Sequence, residues 1–322
     1  EYVQQPAVEL TKLIAKHLPE PLETTSLTNS GTEAIEGSIK LAKRVTGRSQ
    51  IISAHNAYHG NTLGAMSVMG YNERKQPFLP LIPDVKFLEF NNVADLDKIT
   101  TKTAAVILET IQGGAGFIEP INNYLTKVRQ KCNEVGALLI LDEIQPGIGR
   151  TGKLFGFEHY NCQPDIVVTG KGLGGGLPIG AFTASNDMME TLKDNPKLGH
   201  ITTFGGHPVI AAAALATLKE ITSSNLMSEA TEKEKLVRKH LKHPLITDIR
   251  GKGLMLAALT PSAEITNEVI LKAQDDGLIL FWLLFEPKAI RITPPLTISN
   301  EDIIKGCKII VDILNKIQAS QK

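Results

Sequence analysis

Two hydrophobic patterns alternate along most of the chain: short continuous apolar runs and repeats with helical spacing. The runs predict buried strands at 50–54, 86–90, 104–109, 137–141 and 165–169, and a further strand at 181–184. The helical repeats predict helices at 6–18, 30–44, 124–135 and 209–221. Strands that alternate with helices in this order are typical of an α/β domain built on a mainly parallel sheet.

The pattern changes after residue 240, where short strands follow one another more closely. Strands are predicted at 246–250, 253–259, 279–284 and 290–293, with helices at 262–276 and 300–317. A chain of 322 residues exceeds one ordinary core. We therefore expect an N-terminal helix and linker at 1–19, a large α/β domain at 20–240 and a small α+β domain at 241–322. Because the chain starts without methionine, inside a predicted helix, residues 1–19 are expected to be the remnant of a longer N-terminal segment.

The most informative stretch is the apolar run that ends in Lys171, which stands between Gly170 and Gly172. Open α/β sheets bind their ligands at the carboxyl ends of strands, and glycines let a planar ligand approach the backbone closely. An amine held against an apolar strand end can have a lowered pKa and form a Schiff base with a carbonyl. Our hypothesis is that Lys171 binds an aldehyde cofactor covalently.

Two glycine-rich patterns offer nucleotide binding as an alternative from another class of protein. Residues 170–175 match Gly-x-Gly-x-x-Gly, but Pro178 and a predicted strand follow, where the dinucleotide motif requires a helix. Residues 147–153 resemble a P-loop, but Leu154 stands where serine or threonine must bind magnesium. Both departures argue against a nucleotide site, and nucleotide binding by the purified protein would revive it.

A phosphate site is one interpretation of the helix start near residue 30. Ser30 and Glu33 have the capping-box spacing, and the backbone N–H groups of Gly31 and Thr32 then face outward at a positive helix end. A phosphate fits such a position without a basic side chain. An ordinary well-capped helix is the alternative, and this motif taken by itself favours it.

The strand at 137–141 ends in two acids, Asp142 and Glu143. A carboxylate inside an apolar site stays ionised only beside a cation, and a protonated pyridine nitrogen is such a partner. For Glu143 we expect an N-cap or a surface acid instead. The loop that carries His55, Tyr58 and His59 is consistent with ligands, with a stacking platform or with solvated side chains.

Composition limits the remaining classes of function. Basic and acidic residues balance at 34 each, so no surface for nucleic acid is expected. Three widely spaced cysteines argue against disulfides and a zinc site, and favour the reducing cytoplasm. No apolar run is long enough for a membrane span, and we expect no metal.

Taken together, the motifs resemble those of the class III aminotransferases, the pyridoxal-phosphate enzymes of fold type I. The resemblance extends over nearly the whole chain. It rests on Thr-Asn-Ser-Gly-Thr-Glu-Ala at 28–34, Tyr-His-Gly at 58–60, Leu-Asp-Glu-Ile-Gln at 141–145, Gly-Arg-Thr-Gly-Lys-Leu-Phe at 149–155 and Thr-Thr-Phe-Gly-Gly-His-Pro at 202–208. Within the family, the chain looks most like the acetylornithine and ornithine aminotransferases. The resemblance implies an α/β fold with a seven-stranded, mainly parallel sheet in the large domain.

The resemblance also assigns roles around pyridoxal 5'-phosphate. The cofactor phosphate is expected at Ser30, Gly31 and Thr32, and the ring is expected to stack on Tyr58. The remaining cofactor-binding residues on the same chain are expected to be His59, Glu109, Asp142 at the ring nitrogen, Ile144 on the opposite ring face, Gln145 at the phenolic oxygen and Lys171 as the Schiff-base lysine.

Other implied residues concern the substrate and a second subunit. Thr203 matches a residue that binds the phosphate across a homodimer interface, and Arg291 matches the arginine that binds a substrate carboxylate. Asn61 and Thr202 are expected to contact substrate. The implied reaction moves an amino group from an ω-amino acid, such as acetylornithine or ornithine, to a 2-oxo acid such as 2-oxoglutarate, with ping-pong kinetics.

Two departures from the family pattern concern the amino donor. Asn61 stands where the family motif has an arginine, and Gly114 stands where it has a glutamate that can pair with Arg291. We therefore expect a donor pocket that accepts another amine more easily, such as 4-aminobutyrate, lysine or a diamine. A mutase, decarboxylase or racemase of the same superfamily is the rival that keeps the cofactor and changes the reaction.

Overall fold

The computed structural model describes residues 3–320. Residues 1, 2, 321 and 322, which belong to the predicted segments 1–19 and 241–322, lie outside the described residues. The chain divides into two compact units. The first comprises the chain up to Thr110 together with Pro120–Ile148 and Leu154–Ser223, and the second comprises Ile111–Glu119, Gly149–Lys153 and the chain from Ser224 onward.

Among the described residues, the first unit holds one seven-stranded sheet with the order β1-β7-β6-β5-β4-β2-β3. Its strands are β1 (Thr24–Thr28), β2 (Gln50–Ala54), β3 (Val85–Leu88), β4 (Thr103–Glu109), β5 (Leu138–Asp142), β6 (Ile166–Gly170) and β7 (Gly180–Ala184). Strands β3, β2, β4, β5 and β6 are parallel, whereas β7 runs antiparallel to both β6 and β1. The predicted α/β fold with a mainly parallel seven-stranded sheet is confirmed.

Helices of the first unit connect these strands. They are α1 (Gln5–Lys16), α2 (Gly31–Thr46), α3 (Leu63–Ser67), α4 (Asn72–Lys75), α5 (Tyr124–Val135), α6 (Asn186–Glu190) and α7 (Pro208–Ser223). Helix α2 buries Ile35 and Ile39 against Ile107, Ile140 and Val168 of the sheet. Since α2 lies on the central strands, its N-terminus is fixed beside their carboxyl ends.

The second unit carries a four-stranded antiparallel sheet in its described part, with the order β10-β11-β9-β8. Its elements are α8 (Leu226–His240), β8 (Asp248–Lys252), β9 (Met255–Leu259), α9 (Ala263–Asp275), β10 (Phe281–Trp282), β11 (Ala289–Ile292) and α10 (Asn300–Ser320). The break falls between Ser223 and Ser224 rather than near residue 240, because α8 packs its Val237 into this unit's apolar core.

Residues 3–320 also lack two features that the sequence was not expected to contain. No helix there combines the length and the hydropathy that crossing a membrane requires. The same residues contain no group of three histidine, cysteine or acidic side chains arranged to hold a metal ion. The three cysteines are unpaired and buried.

Candidate active site

The carboxyl ends of three neighbouring strands bring the predicted acids and the lysine to one edge of the sheet. Glu109 at the end of β4 lies opposite Asp142 at the end of β5, and Asp142 lies opposite Val168 in β6. Strand β6 ends at Gly170, directly before Lys171. The structure therefore collects residues that are far apart in sequence at the position where α/β sheets bind ligands.

Asp142 is buried and held on both carboxylate oxygens. The Nδ1 of His59 lies 2.8 Å from Oδ2, and the backbone N–H of Ile144 donates to Oδ1 at 3.0 Å. Only 3% of Asp142 and 2% of His59 is exposed. A buried carboxylate needs such donors, because an unpaired one would be strongly destabilised. This pair of contacts orients the Asp142 carboxylate.

The start of α2 lies close to Ile144, across a narrow gap. A Cβ atom placed on Gly31 would lie 2.6 Å from Ile144 Cδ1, so a larger residue here would require the Ile144 side chain to move. A Cβ placed on Gly170 would lie 3.5 Å from Ile144 Cγ2 and 3.6 Å from the Gly31 Cα. The start of α2, the end of β6 and the side chain of Ile144 therefore lie close together. The N–H groups in the first turn of α2 have no acceptor within the helix.

The capping of α2 differs in detail from the predicted box. Ser30 accepts from the backbone N–H of Glu33 at 3.4 Å, as expected. The Glu33 carboxylate, however, accepts from the backbone and side-chain N–H groups of Asn29 instead of from the N–H of Ser30. The helix is capped from both sides, and the N–H groups of Gly31 and Thr32 are left to a ligand.

Hydrogen bonds connect the loop that begins at Tyr58 to β4 and to α2. The Tyr58 backbone N–H donates to Glu109 Oε2 at 3.1 Å, and the Thr32 and Thr62 hydroxyls lie 2.8 Å apart. The half-buried Tyr58 ring is therefore positioned through its backbone, while Asn61 is exposed. Sequence reasoning missed Glu36, whose carboxylate accepts from the Thr62 hydroxyl at 2.5 Å; its place inside a helix gave no signal.

Lys171 has an unusual backbone conformation at the first position of a 3₁₀ turn, Lys171–Gly174. Its φ of 42° lies in the left-handed region, which a long side chain adopts only when the surrounding structure requires it. The side chain is exposed rather than pressed against the strand end as the sequence hypothesis supposed. The strained turn, rather than apolar burial, sets its position.

Glu143 is not a surface acid, and it is not the N-cap of a helix that begins directly after it. It is fully buried and accepts from the Thr110 hydroxyl at 2.5 Å and from the backbone N–H groups of Gly156 and Phe157 at 2.6 and 2.8 Å. Burial raises the pKa of Glu143 to about 7, because the hydrogen bonds offset only part of the desolvation. The carboxyl group anchors the turn 156–159, and the preference for a surface acid was wrong.

The remaining candidates of the first unit lie near its surface. Thr203 is exposed, Gln145 is half-buried like Ile144, and the Thr202 hydroxyl is buried without a hydrogen-bond partner among the described residues. A buried hydroxyl without a partner is a position where a ligand can supply the missing contact.

Arg291 lies in β11, which belongs to the second unit, whereas the residues described so far belong to the first. Its Nε donates to the Thr293 hydroxyl at 3.1 Å, and no carboxylate pairs with it among the described residues. Burial lowers the pKa of Arg291, and burial together with the neighbouring Arg291 guanidinium lowers the pKa of Arg150 to about 10. Neither guanidinium pairs with a carboxylate within residues 3–320, and two such groups favour an anionic ligand.

The residues of the first unit fit pyridoxal phosphate. The N–H groups of Gly31 and Thr32 suit its phosphate, and Gly31 brings the start of α2 close to the side chain of Ile144. The oriented Asp142 carboxylate suits a protonated pyridine nitrogen, and Lys171 supplies the amine for its aldehyde. This donor set favours the aldehyde cofactor over a nucleotide.

Comparisons with known proteins show which proteins resemble this chain in sequence. The model of the family "Aminotransferase class-III" matches residues 2–314. A putrescine aminotransferase from Pectobacterium atrosepticum is 39% identical over 328 aligned positions, which cover 97% of this chain and 70% of the relative.

Solved structures with the same fold include two transaminases. One from the marine bacterium Virgibacillus superposes with a TM-score of 0.93 at 28% identity, covering 100% of this chain and 81% of that one. The ornithine aminotransferase from Toxoplasma gondii, described with partial occupancy of pyridoxal phosphate at its active site, superposes with a TM-score of 0.91 at 28% identity. That superposition covers 99% of this chain and 78% of the other.

Proposed function

Because the chain belongs to the class III aminotransferase family, we propose that it transfers an amino group from a terminal diamine to a 2-oxo acid. The enzyme is a pyridoxal-phosphate-dependent transaminase of fold type I. The proposal therefore concerns the donor, the acceptor and the residues that bind them. Putrescine, the substrate named for the relative at 39% identity, is the simplest four-carbon candidate.

The observation that carries the diamine proposal is the surrounding of Gly114. Its carbonyl accepts from the Phe285 N–H at 2.9 Å, and a Cβ atom at position 114 would lie 2.8 Å from the Phe285 ring. The aromatic ring thus occupies the space in which an acidic side chain would begin. With a neutral, exposed Asn61 as well, the donor site has lost one cation and one anion. A donor without a carboxylate needs neither of them.

Lys171 and Asp142 have the central chemical roles in the proposal. When bound, the cofactor supplies a protonated pyridine ring that withdraws electrons from the carbon carrying the substrate amine. The Asp142 carboxylate, held by His59 and Ile144, keeps the proton on the pyridine nitrogen. The Lys171 amine would hold the cofactor through its aldehyde and would serve as the group that carries a proton to and from the substrate carbon.

The other site residues have binding roles. Ser30, Gly31 and Thr32 hold the phosphate at the start of α2, and the Tyr58 ring stacks on the pyridine. His59 and Glu109 support the loop and the carboxylate beneath it, while Ile144 and Gln145 contact the ring face and the phenolic oxygen. Thr202 contacts substrate. Arg291 binds a carboxylate of the 2-oxo acid, which matches its burial without an acidic partner among the described residues.

The assembly that we propose is a homodimer in which Thr203 binds the phosphate of the other subunit's cofactor. Thr203 is exposed, and Ile201, Phe204 and Val209 around it are 65%, 64% and 63% exposed. Such an apolar group on a surface is typical of an interface. Mixing inactive Lys171→Ala with inactive Thr203→Ala should restore one working site per mixed dimer. The three buried, unpaired cysteines are compatible with the cytoplasmic location that we propose.

The deciding experiment compares donors of equal length with the purified holoenzyme and 2-oxoglutarate as acceptor. Putrescine and 4-aminobutyrate both have four carbons and differ in one terminal group, which is an aminomethyl group in putrescine and a carboxylate in 4-aminobutyrate. Glutamate formation reports transfer from either. We expect kcat/KM for putrescine to be higher by about tenfold or more, with ping-pong kinetics. A preference for 4-aminobutyrate would contradict the diamine proposal.

An ornithine- or acetylornithine-type donor is the second candidate. The similarity in fold to the Toxoplasma gondii ornithine aminotransferase favours it, and residues 137–180 and 200–208 resemble that branch. A higher kcat/KM for ornithine or acetylornithine than for putrescine in the same assay would select it.

A further inference from the structure

A cavity of about 960 Å³ lies in the first unit beside the edge strand β3, away from the carboxyl ends of β4, β5 and β6. It is bounded by the end of α3, by α4, by β3 and by the loop between them. Its walls include the apolar side chains of Leu79, Ile82, Val85 and Phe87. A volume of this size is typical of small-molecule sites.

Lys75 lines this cavity in an inverted arrangement of polar and apolar residues. The residues around it, 72–74 and 76–80, are exposed, and among them Phe78 and Leu79 are 53% and 64% exposed. Lys75 itself is only 8% exposed. Lysine is rarely buried without a partner, whereas aromatic and aliphatic side chains are usually buried. The segment therefore buries the charge of Lys75 while it exposes the apolar side chains of Phe78 and Leu79.

Among the described residues, the group that attracts the Lys75 amine is the face of an aromatic ring. Its Nζ lies 4.2 Å from the centroid of the Phe87 ring, and no hydrogen bond or ion pair to it occurs in the described part of the chain. A ring face attracts an ammonium group more weakly than a carboxylate does. Burial accordingly lowers the pKa of Lys75. An anion bound in the cavity would give the buried Lys75 ammonium group the negatively charged partner that it lacks among the described residues.

The acidic group in the cavity wall does not supply that anion. Asp84 is solvent-exposed, and its carboxylate accepts from the Ser49 hydroxyl at 2.6 Å and from the Gln50 side chain at 3.3 Å. These two hydrogen bonds lower the pKa of Asp84, so it stays ionised at the rim. A ligand anion must therefore lie at Lys75, away from the rim.

We propose that this cavity binds a small monocarboxylate with an apolar body, its carboxylate at Lys75 and its body against Leu79, Ile82 and Phe87. Lys75 is the one cation among the described residues that line the cavity, and one cation matches a single negative charge. The site is separate from the proposed transamination residues, so it is suited to a ligand that is neither donor nor acceptor.

The test uses octanoate as the probe and titrates it calorimetrically into the full-length holoenzyme. Lys75→Met should weaken octanoate binding by about tenfold or more, because the one positive charge among the described residues of the lining is lost. Lys86→Met is the matched control, since Lys86 is exposed on β3 next to Phe87, and it should leave the affinity unchanged. Octanamide, which has the same body without charge, should bind as weakly as octanoate binds to Lys75→Met.

A second measurement needs no variant and therefore does not depend on folding of Lys75→Met. Amine acylation is followed residue by residue by peptide mass spectrometry, with and without octanoate. Octanoate should slow labelling of Lys75 and leave Lys86 unaffected. Absence of octanoate binding, equal binding by Lys75→Met or octanamide, or unprotected Lys75 would each overturn the proposal. Loss of binding in Arg291→Met would overturn it as well, by placing octanoate in the substrate site.

Discussion

The imidazole of His59 and the carboxylate of Asp142 form a buried pair, with Nδ1 and Oδ2 separated by 2.8 Å. The other ring nitrogen of His59 has no hydrogen-bond partner among the described residues. The imidazole is thus committed to Asp142 through one nitrogen. With the Ile144 N–H on the second oxygen, it fixes the direction in which the carboxylate faces a ligand. This makes His59 a positioning residue for Asp142.

We expect His59→Ala to weaken cofactor binding by about tenfold or more, because Asp142 would lose a hydrogen bond of the charged kind. Equilibrium dialysis of pyridoxal phosphate measures the effect directly. His55→Ala is the control from the same loop, since the His55 side chain is 42% exposed and lies 3.9 Å from Glu89. Equal cofactor affinities for the two variants would contradict a positioning role for His59.

Lys171→Ala should lower the transamination rate by about a thousandfold or more, because the proton carrier and the covalent attachment are lost together. Borohydride reduction of the wild-type holoenzyme should place a pyridoxyl group on the peptide that contains Lys171. Lys153→Ala is the control, since Lys153 ends the P-loop-like segment 147–153 and is expected to be dispensable. A reduced adduct on another lysine would refute the assignment of Lys171.

The sequence predicts the parallel part of the sheet well because its strands are buried on both faces. Ile107, Ile140 and Val168 belong to continuous apolar runs, and each run is a strand of the structure. Strand β1, Thr-Thr-Ser-Leu-Thr, was not predicted because four of its five residues are polar. It forms through pairing with β7, including contacts such as Thr25 with Thr183, which no local pattern reveals.

The site was predicted as a set of residues but not as a network. Spacing and resemblance supplied Asp142, whereas its contact with His59 depends on two chain segments that meet only in the fold. Glu143 shows the same limit, because its partners Thr110, Gly156 and Phe157 come from separate segments. Local sequence determines which residues end a strand, and long-range packing determines whether those residues become buried.

The buried Glu143 predicts a specific dependence of stability on pH. Its pKa rises from 4.5 to about 7 in the folded protein, so between these values the folded state retains a proton that the unfolded state has lost. The free energy of unfolding therefore falls as pH rises through this window and is constant on either side of it. The fall attributable to this group is on the order of 3 kcal/mol.

Glu143→Gln should remove this pH dependence, because the amide has no charge. Its single oxygen can still accept from the Phe157 N–H, whereas the Gly156 N–H loses its acceptor, so a loss of stability that does not depend on pH is expected as well. Urea unfolding across the window measures the difference between wild type and variant, which should change in favour of the variant as pH rises. Glu158→Gln, at an exposed neighbouring acid, should show no such trend. A constant difference for Glu143→Gln would show that the carboxyl group does not titrate there.

Arg291→Met should raise KM for 2-oxoglutarate by about a hundredfold, because a carboxylate of the acceptor would lose its guanidinium partner. The KM for a diamine donor should change much less, since that donor has no carboxylate. Arg250→Met is the control on the same sheet, because exposed ion pairs such as those of Arg250 with Asp248 and Glu286 contribute little. An equal effect on both substrates would contradict the proposed role.

The packing of Phe285 on Gly114 makes a reciprocal prediction about stability and donor choice. Gly114→Ala should destabilise the protein by about 1–3 kcal/mol, because its Cβ would lie 2.8 Å from a ring atom of Phe285. Phe285→Ala opens this space. Adding Phe285→Ala to Gly114→Ala should therefore lower stability by less than Phe285→Ala does in the wild type, which urea unfolding measures as a double-mutant cycle.

In the Phe285→Ala background, Gly114→Glu can place a carboxylate in the second unit, which also carries Arg291. The ratio of kcat/KM for putrescine to kcat/KM for ornithine should then fall. Additive stability effects would show that ring and glycine are independent, and an unchanged ratio would show that position 114 does not influence the donor.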